Sequence, residues 1–326
     1  MEGTKTTAKL DKHDVSMHNA RMSYAQQAQI SGKGCFVQAY AKINLTLDVL
    51  GRRPDGYHEL ATVMQTIDLH DTICLTATGD HQVQVICTRP ELSNDQNLAV
   101  RAVHMLRQHF ASTQGVRIEL VKRIPTAAGL GGGSSDAAAV LLALQHWWQL
   151  QLPPPDLLSM AASLGSDIPF FLTGGLALCE GRGERVTPLI HYWPASMRWL
   201  LLLKPAISVS TAAVFRSLPA SAYTDGTHSR AVCEALSAGN DPGAVNLHNG
   251  LERSVLEHYP EVARAREDLL RAGAQLVRLS GSGPTLFAPF AELSAAIQVQ
   301  QQVQAQGYEV YLSRAIHPAV GNICLF

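Results

Sequence analysis

Residues 125–135 read PTAAGLGGGSS, and they stand between an alternating, strand-like stretch and the long apolar run DAAAVLLALQHWWQL. Glycines at 129, 131, 132 and 133 free the backbone to take positive φ angles. Successive N–H groups can then face one point, to which the following helix adds the positive end of its dipole. Such a loop is a seat for an anion, a nucleotide triphosphate foremost. A flexible linker would run on into polar sequence, whereas Ser134 and Ser135 lead straight into a strong helix former. On these residues alone a structural turn without a ligand stays open. Two familiar phosphate loops are excluded by their spelling. Gly132, Gly133 and Ser134 stand where a P-loop needs Gly-Lys-Ser/Thr, and Ser134 replaces the third glycine of the dinucleotide pattern.

At 326 residues, 46% hydrophobic and 16% charged, the chain can bury a large core and is expected to divide into about two domains. Its net charge of −1 gives no electrostatic footprint for nucleic acid or an anionic membrane, so the expected partner is a small molecule. The six cysteines, at 35, 74, 87, 179, 233 and 324, form no CxxC pair. They read as reduced core residues of a cytoplasmic protein, and metal held by cysteine is not expected. No apolar run approaches the ~18 to 20 residues of a membrane span. Residues 1–35 are polar and of mixed charge, and are expected to form a disordered tail.

Ile43, Leu45, Leu47 and Val49 alternate with Asn44, Thr46 and Asp48, which predicts a strand ending at GRRPDGYHEL. Further strands are predicted over 72–78, 82–87 and 116–122, with a helix carrying Leu98, Ala102, Leu106 and Phe110 on one stripe. A helix over 155–164 should stop at Gly165, and Asp167 stands where the next helix would be N-capped. Beyond residue 195 the pattern predicts a strand over 199–204, helices over 210–218 and 244–272, and a strand-turn-strand through LSGSGPTLFA (279–288). A helix over 291–305 and a last strand follow. Residues 219–241 read as a surface excursion. The order of short strands and helices indicates an α+β fold.

Four segments together resemble the GHMP family of small-molecule kinases: AKINLTL (41–47), RPDGYHEL (53–60), GLGGGSSDAA (129–138) and LGSDIPFF (164–171). The match runs from about Phe36 to the C-terminus. Homoserine and mevalonate kinases share the glycine loop but lack PDGYH, which points to the branch acting on a cytidylyl-methylerythritol in non-mevalonate isoprenoid synthesis. The resemblance implies a two-domain GHMP-kinase fold. Its parts would be a ribosomal S5 domain 2-like N-terminal domain (36–195) and a ferredoxin-like α+β C-terminal domain (196–326), forming a monomer or weak homodimer. ATP and Mg2+ would be its cofactors.

By the same resemblance Lys42 and Asp167 are the catalytic pair. Asp167 would be the general base on the acceptor hydroxyl, and Lys42 would stand beside its carboxylate and orient the attacking oxygen. Read singly, Lys42 could be a solvated edge lysine and Asp167 no more than a helix N-cap. The ATP cradle would be Pro125, Thr126, Ala127, Ala128, Gly129, Leu130, Gly131, Gly132, Gly133, Ser134 and Ser135, with Thr126 where related chains often carry methionine. Asn44, which shares a face with Lys42, would be among the substrate-binding residues. Tyr57 would stack on the cytosine and His58 hydrogen-bond its edge, with Thr211 and Phe215 on the opposite wall. A structural aromatic and histidine, a helix-start threonine and a core phenylalanine are the plainer alternatives. HELAT lacks the second histidine of a zinc helix, since Thr62 stands there. The turn of LSGSGPTLFA is expected to lie under the phosphates, although the residues alone show only a tight turn. With no carboxylate pair spaced for a dedicated site, Ser135 and the triphosphate itself are the expected Mg2+ ligands. Two other readings are a family kinase for another small alcohol and a nucleotide-binding module without catalysis.

Overall fold

The computed structural model describes residues 33–189, 192–243, 246–317, 321 and 323–326. The expected tail lies outside these residues except for its last three. The chain opens with β1 (Gly34–Asn44), β2 (Asp48–Arg52), β3 (His58–Thr78) and β4 (Val83–Cys87), then α1 (Leu98–His109) and β5 (Gly115–Val121). Helices α2 (Gly132–Trp147), α3 (Pro154–Leu164) and α4 (Ile168–Thr173) lead to the hairpin β6 (Leu176–Gly181) and β7 (Arg185–Pro188). The second half runs β8 (Trp199–Lys204), α5 (Thr211–Ser217), α6 (Thr227–Ser237), α7 (Glu252–His258) and α8 (Pro260–Arg271). It closes with β9 (Arg278–Leu279), β10 (Leu286–Phe290), α9 (Leu293–Gln304), β11 (Glu309–Ser313) and β12 (Cys324–Leu325).

β3 organises the first sheet. Its C-terminal part pairs with β1 and β5, and its N-terminal part with β2 and β6, giving a path β12-β1-β3-β5-β4 with β2 and β6 attached to the other end of β3 and β7 paired to β6. The register of β1 on β3 shifts between Tyr40 and Ala41, and the two parts of β1 feed different cores. Cys35, Val37 and Ala39 pack with α1 and α2, while Ala41 and Ile43 pack toward the second half. The second sheet is antiparallel in the order β11-β8-β10-β9. Its first strand therefore lies between its third and fourth, the split arrangement of ferredoxin-like domains.

The WLLLLK run of β8 shows why this sheet is apolar without alternation. Leu201 and Leu203 face the core under α8 and α9, and Leu200 and Leu202 face a core shared with the first sheet. A strand covered on both faces has no polar side to present. No helix among the described residues is long and apolar enough to cross a membrane.

Several expectations need correction. The strand predicted from Ile43 is the end of β1, a bend and then β2, so Lys42, which would have stood at the start of that strand, lies near the end of β1. β1 begins at Gly34 and Cys35 is fully buried, so the boundary placed after residue 35 cuts into a strand. The helix expected over 244–272 is two helices, α7 and α8. Pro260 has no N–H to continue α7 but fits the first turn of α8. The supposed excursion 219–241 contains α6, whose Val232 and Leu236 are fully buried. Gly165 ends α3 with extended backbone, φ 177°, and not as a left-handed cap. The expectation of buried core cysteines holds only for Cys35, Cys87 and Cys179, and Cys324 is exposed.

Candidate active site

A cleft of about 1200 Å³ lies where the two halves meet, and residues from all the motif segments line it. The glycine loop forms one side. Gly129 and Gly131 have φ angles of 76° and 71°, while Gly132 and Gly133 are already helical. The need for glycine is steric as well as conformational. A Cβ on Gly129 would lie 2.2 Å from the Ser280 carbonyl oxygen, and one on Gly131 would lie 2.6 Å from the Phe171 ring. Among the described residues no side chain caps the N-terminus of α2. Its leading N–H groups and dipole are left for a ligand, and the cradle fits a phosphate chain.

Of the expected cradle, Pro125 to Gly129 and Gly131 to Ser134 face the cleft. Leu130 and Ser135 do not. Leu130 is buried in the shared core while its carbonyl accepts the Lys42 N–H at 3.1 Å. Ser135 is fully buried and its hydroxyl donates to the Tyr40 carbonyl at 2.6 Å. That hydroxyl ties α2 to β1 and is not placed to reach a cleft-bound Mg2+, a correction to its expected role.

Lys42 Nζ reaches in from β1, 3.6 Å from the Asp167 carboxylate. Its side chain is almost wholly buried while that of Asp167 stays one-third exposed. Asn44, two residues on along the same face, accepts from Nζ at 2.6 Å and donates to Thr62 at 2.8 Å, which fixes the lysine's direction. Asp167 occupies the N-cap position of α4 with helical backbone angles, yet its side chain makes no capping hydrogen bond. The capping alternative thus fails on geometry, and the carboxylate is free to face the cleft. Gly281 closes the wall behind the lysine: a Cβ there would lie 3.3 Å from Nζ and 3.2 Å from the Asn44 side-chain oxygen. The turn bearing Gly281 rests on the glycine loop, since Ser280 Oγ donates to the Gly129 carbonyl at 3.1 Å.

Tyr57 and His58 also line the cleft, where the PDGYH turn enters β3. Tyr57 is 54% exposed, with the Arg182 guanidinium 5.0 Å from its ring centre. His58 packs against Phe215, ring centres 5.2 Å apart, and its Nε2 lies 3.4 Å from the Tyr223 hydroxyl. Burial, with Arg52 adding to it, lowers the His58 pKa, so near neutral pH the ring has both a donor and an acceptor nitrogen. Thr211, at the start of α5, exchanges a hydrogen bond with Ser282 at 2.7 Å. All the expected substrate residues thus line one cavity.

Arg182 and Tyr223 carry no motif and were missed by the sequence reading. So was a buried triad beneath the loop: Lys122 Nζ pairs with Asp136 at 2.6 Å and also with Asp71. Asp71 accepts from the backbone N–H of Ile124 at 2.9 Å and from that of Arg123, so it shapes the approach to the loop. Asp136 in GSSDAA offered the one available sequence signal, a charge inside an otherwise apolar helix.

Fold and site together define a phosphoryl-transfer enzyme of the GHMP class. The family profile described as GHMP kinases N terminal domain matches residues 97–175, and GHMP kinases C terminal matches 231–309. A 4-diphosphocytidyl-2-C-methyl-D-erythritol kinase of Pelotomaculum thermopropionicum is 41% identical over 282 residues, covering 86% of this chain and 97% of the relative. One from Gloeobacter violaceus is 46% identical over 259 residues, 77% and 84% of the two chains. The crystal structure of a 4-(cytidine 5'-diphospho)-2C-methyl-D-erythritol kinase superposes with a TM-score of 0.73 at 34% identity, covering 86% of this chain and 98% of that one. Homoserine kinase from Cytophaga hutchinsonii, at 19% identity and a TM-score of 0.70 over 91% of this chain and 99% of its own, shows the shared fold. The chain belongs to the 4-diphosphocytidyl-2-C-methyl-D-erythritol kinase family of the GHMP kinases, and it is an ATP-dependent small-molecule kinase.

Proposed function

We propose that this chain transfers the γ-phosphoryl group of ATP to the 2-hydroxyl of 4-diphosphocytidyl-2-C-methyl-D-erythritol, giving the 2-phosphate and ADP for isoprenoid precursor synthesis. The observation that carries this reading is the placement of the Lys42–Asp167 pair in a single cleft with the glycine loop and the Tyr57–His58–Phe215 wall. Asp167 takes the proton of the acceptor hydroxyl as that oxygen forms its bond to the γ-phosphorus and the bond to the β-phosphate oxygen breaks. Lys42, held by Asn44, keeps the carboxylate and the attacking oxygen in line. The N–H groups of the glycine loop and the start of α2 face the charge that spreads over the phosphate oxygens. Mg2+ would supply charge neutralisation between the phosphates. The triphosphate oxygens would hold most of it, since this metal keeps its waters and needs few protein ligands.

Tyr57 would stack on cytosine and neutral His58 would hydrogen-bond its edge, with Phe215 and Thr211 opposite. This pocket gives the acceptor's cytidylyl group its purpose: binding energy far from the reacting hydroxyl that orients it. The near-zero net charge and the lack of any CxxC pair support a cytoplasmic enzyme, and the family resemblance suggests a monomer or weak homodimer. The test is ADP release with Mg-ATP and four acceptors: 4-diphosphocytidyl-methylerythritol, methylerythritol phosphate, homoserine and mevalonate. Turnover confined to the cytidylyl compound is expected. Equal turnover with another alcohol would overturn the acceptor, and ATP binding without turnover on any acceptor would overturn the reaction.

A further inference from the structure

A second cluster lies away from the reacting groups. Asp48, at the start of β2, is fully buried and faces His228 in the first turn of α6 and His248 in the segment before α7. One carboxylate oxygen and one nitrogen from each ring lie within 4.8 Å of one another. The two imidazoles stack, centres 4.1 Å apart and planes 21° apart. His228 Nδ1 and His248 Nε2 are shut off from solvent and have no hydrogen-bond partner among the described residues. Native proteins rarely leave buried polar atoms in that condition, and such an orphan calls for a ligand or another physical reason.

The charges around the cluster point the same way. Asp48 accepts hydrogen bonds from the Ser229 N–H at 2.8 Å, the Ser229 hydroxyl at 2.6 Å and the Thr224 hydroxyl at 2.8 Å. A carboxylate has about four lone-pair sites, so one remains. No lysine or arginine pairs with it among the described residues. Two imidazoles with idle nitrogens and one carboxylate suit a borderline-soft dication. Ca2+ and Mg2+ would seek oxygen, whereas Zn2+ takes such three-ligand sets with water as the fourth partner.

We propose that Asp48, His228 and His248 form a Zn2+ site that clamps the start of β2 to α6 and to the strap before α7. The strap is already laced to the same bend, since the Leu47 N–H donates to the His248 carbonyl and the Gly250 N–H to the Leu47 carbonyl, each at 2.8 Å. Leu47 and Leu251 from this junction line the catalytic cleft, so the ion stiffens one wall of the cleft without touching the reacting groups.

The experiment is titration of the metal-free full chain, without nucleotide, with Co2+ as a spectroscopic substitute. A single equivalent should produce visible ligand-field bands, and Zn2+ should abolish them. Loss of an outer-shell partner alone costs roughly 10- to 100-fold in metal affinity, so His228→Gln and His248→Gln should each weaken binding at least that much. Replacement of the exposed His104 by Gln should leave binding unchanged. Absence of binding, or binding that survives both substitutions, overturns the site. Crystals of the unaltered chain grown with Zn2+ supply the second arm, should either variant fail to fold. An anomalous peak among the three residues is expected, and its absence there is decisive against the proposal.

Discussion

Asp167 and Lys42, the proposed catalytic pair, show how little such a role rests on either residue's own surroundings. The carboxylate heads a helix it does not cap, and the lysine is almost wholly buried with Asn44 as its nearest partner. Asp167→Asn keeps shape and removes the proton acceptor. The expected result is unchanged nucleotide affinity by calorimetry and a fall in ADP release of roughly 10²- to 10⁴-fold, the usual worth of a positioned base. Full activity in a folded variant would remove the assignment. Asp136 makes a prediction of another kind. Burial outweighs the attraction of Lys122, and with the like charge of Asp71 it pushes the Asp136 carboxyl up to about 7. A carboxyl that ionises near pH 4 in the unfolded chain thus holds its proton longer when folded. Its stabilising contribution is complete below about pH 4, declines as pH rises toward about 7, and is constant above that. Asp136→Asn cannot ionise, so the stability of the parent relative to this variant should fall across that window in urea denaturation. A difference that does not vary with pH would contradict the raised value.

Among the elements, the glycine loop is the most exacting. Gly129→Ala would place a Cβ 2.2 Å from the Ser280 carbonyl oxygen at a φ of 76°. The left-handed backbone alone costs an L-residue roughly 1–2 kcal/mol, and the clash pushes the loop away from the 279–288 turn. A lower melting temperature together with a raised KM for ATP is expected; a lower melting temperature with KM unchanged would show that the loop does not bind the nucleotide. The legibility of the elements follows from local pattern. α1 was readable because Ala102 and Leu106 recur at helical spacing, and Asn97 supplies its cap, accepting from the Ala99 N–H. The residues of AKIN, PDGYH and LGSDIP that line the cleft were readable as short motifs. Pairings between distant positions were not. The break after Asn44 is invisible because Leu45 and Leu47 are buried on both sides of the bend, so alternation continues where the strand does not. α6 was hidden by an N-cap glycine and by the polar residues of 219–231, although Val232 and Leu236 sit one turn apart. The Lys122 triad joins three positions far apart in sequence, and no local rule connects them.

For the whole molecule, the core between the sheets decides how the halves behave. Ile43, Val63 and Ile67 of the first sheet share it with Leu200, Leu202 and Phe287 of the second, and β12 returns from the end of the chain to pair with β1. Phe287 is fully buried, and Phe287→Ala should lose roughly 3–5 kcal/mol. Hydrogen exchange should quicken in both α1 and α8, the helices that belong to opposite halves, because the lost contact is common property. Faster exchange in α8 alone would show two independently folding units. The same closeness limits recombination between relatives. The glycine loop lies against Ser280 and Lys42 lies against Gly281, so each half supplies the mould for the other's catalytic surface. A chimera that joins the first half of this chain to the second half of a distant family member would inherit both motifs intact and still misplace them. The turn 279–288 has to travel with the loop it touches, which makes the pair of segments, and not either half, the unit that evolution or an engineer can exchange.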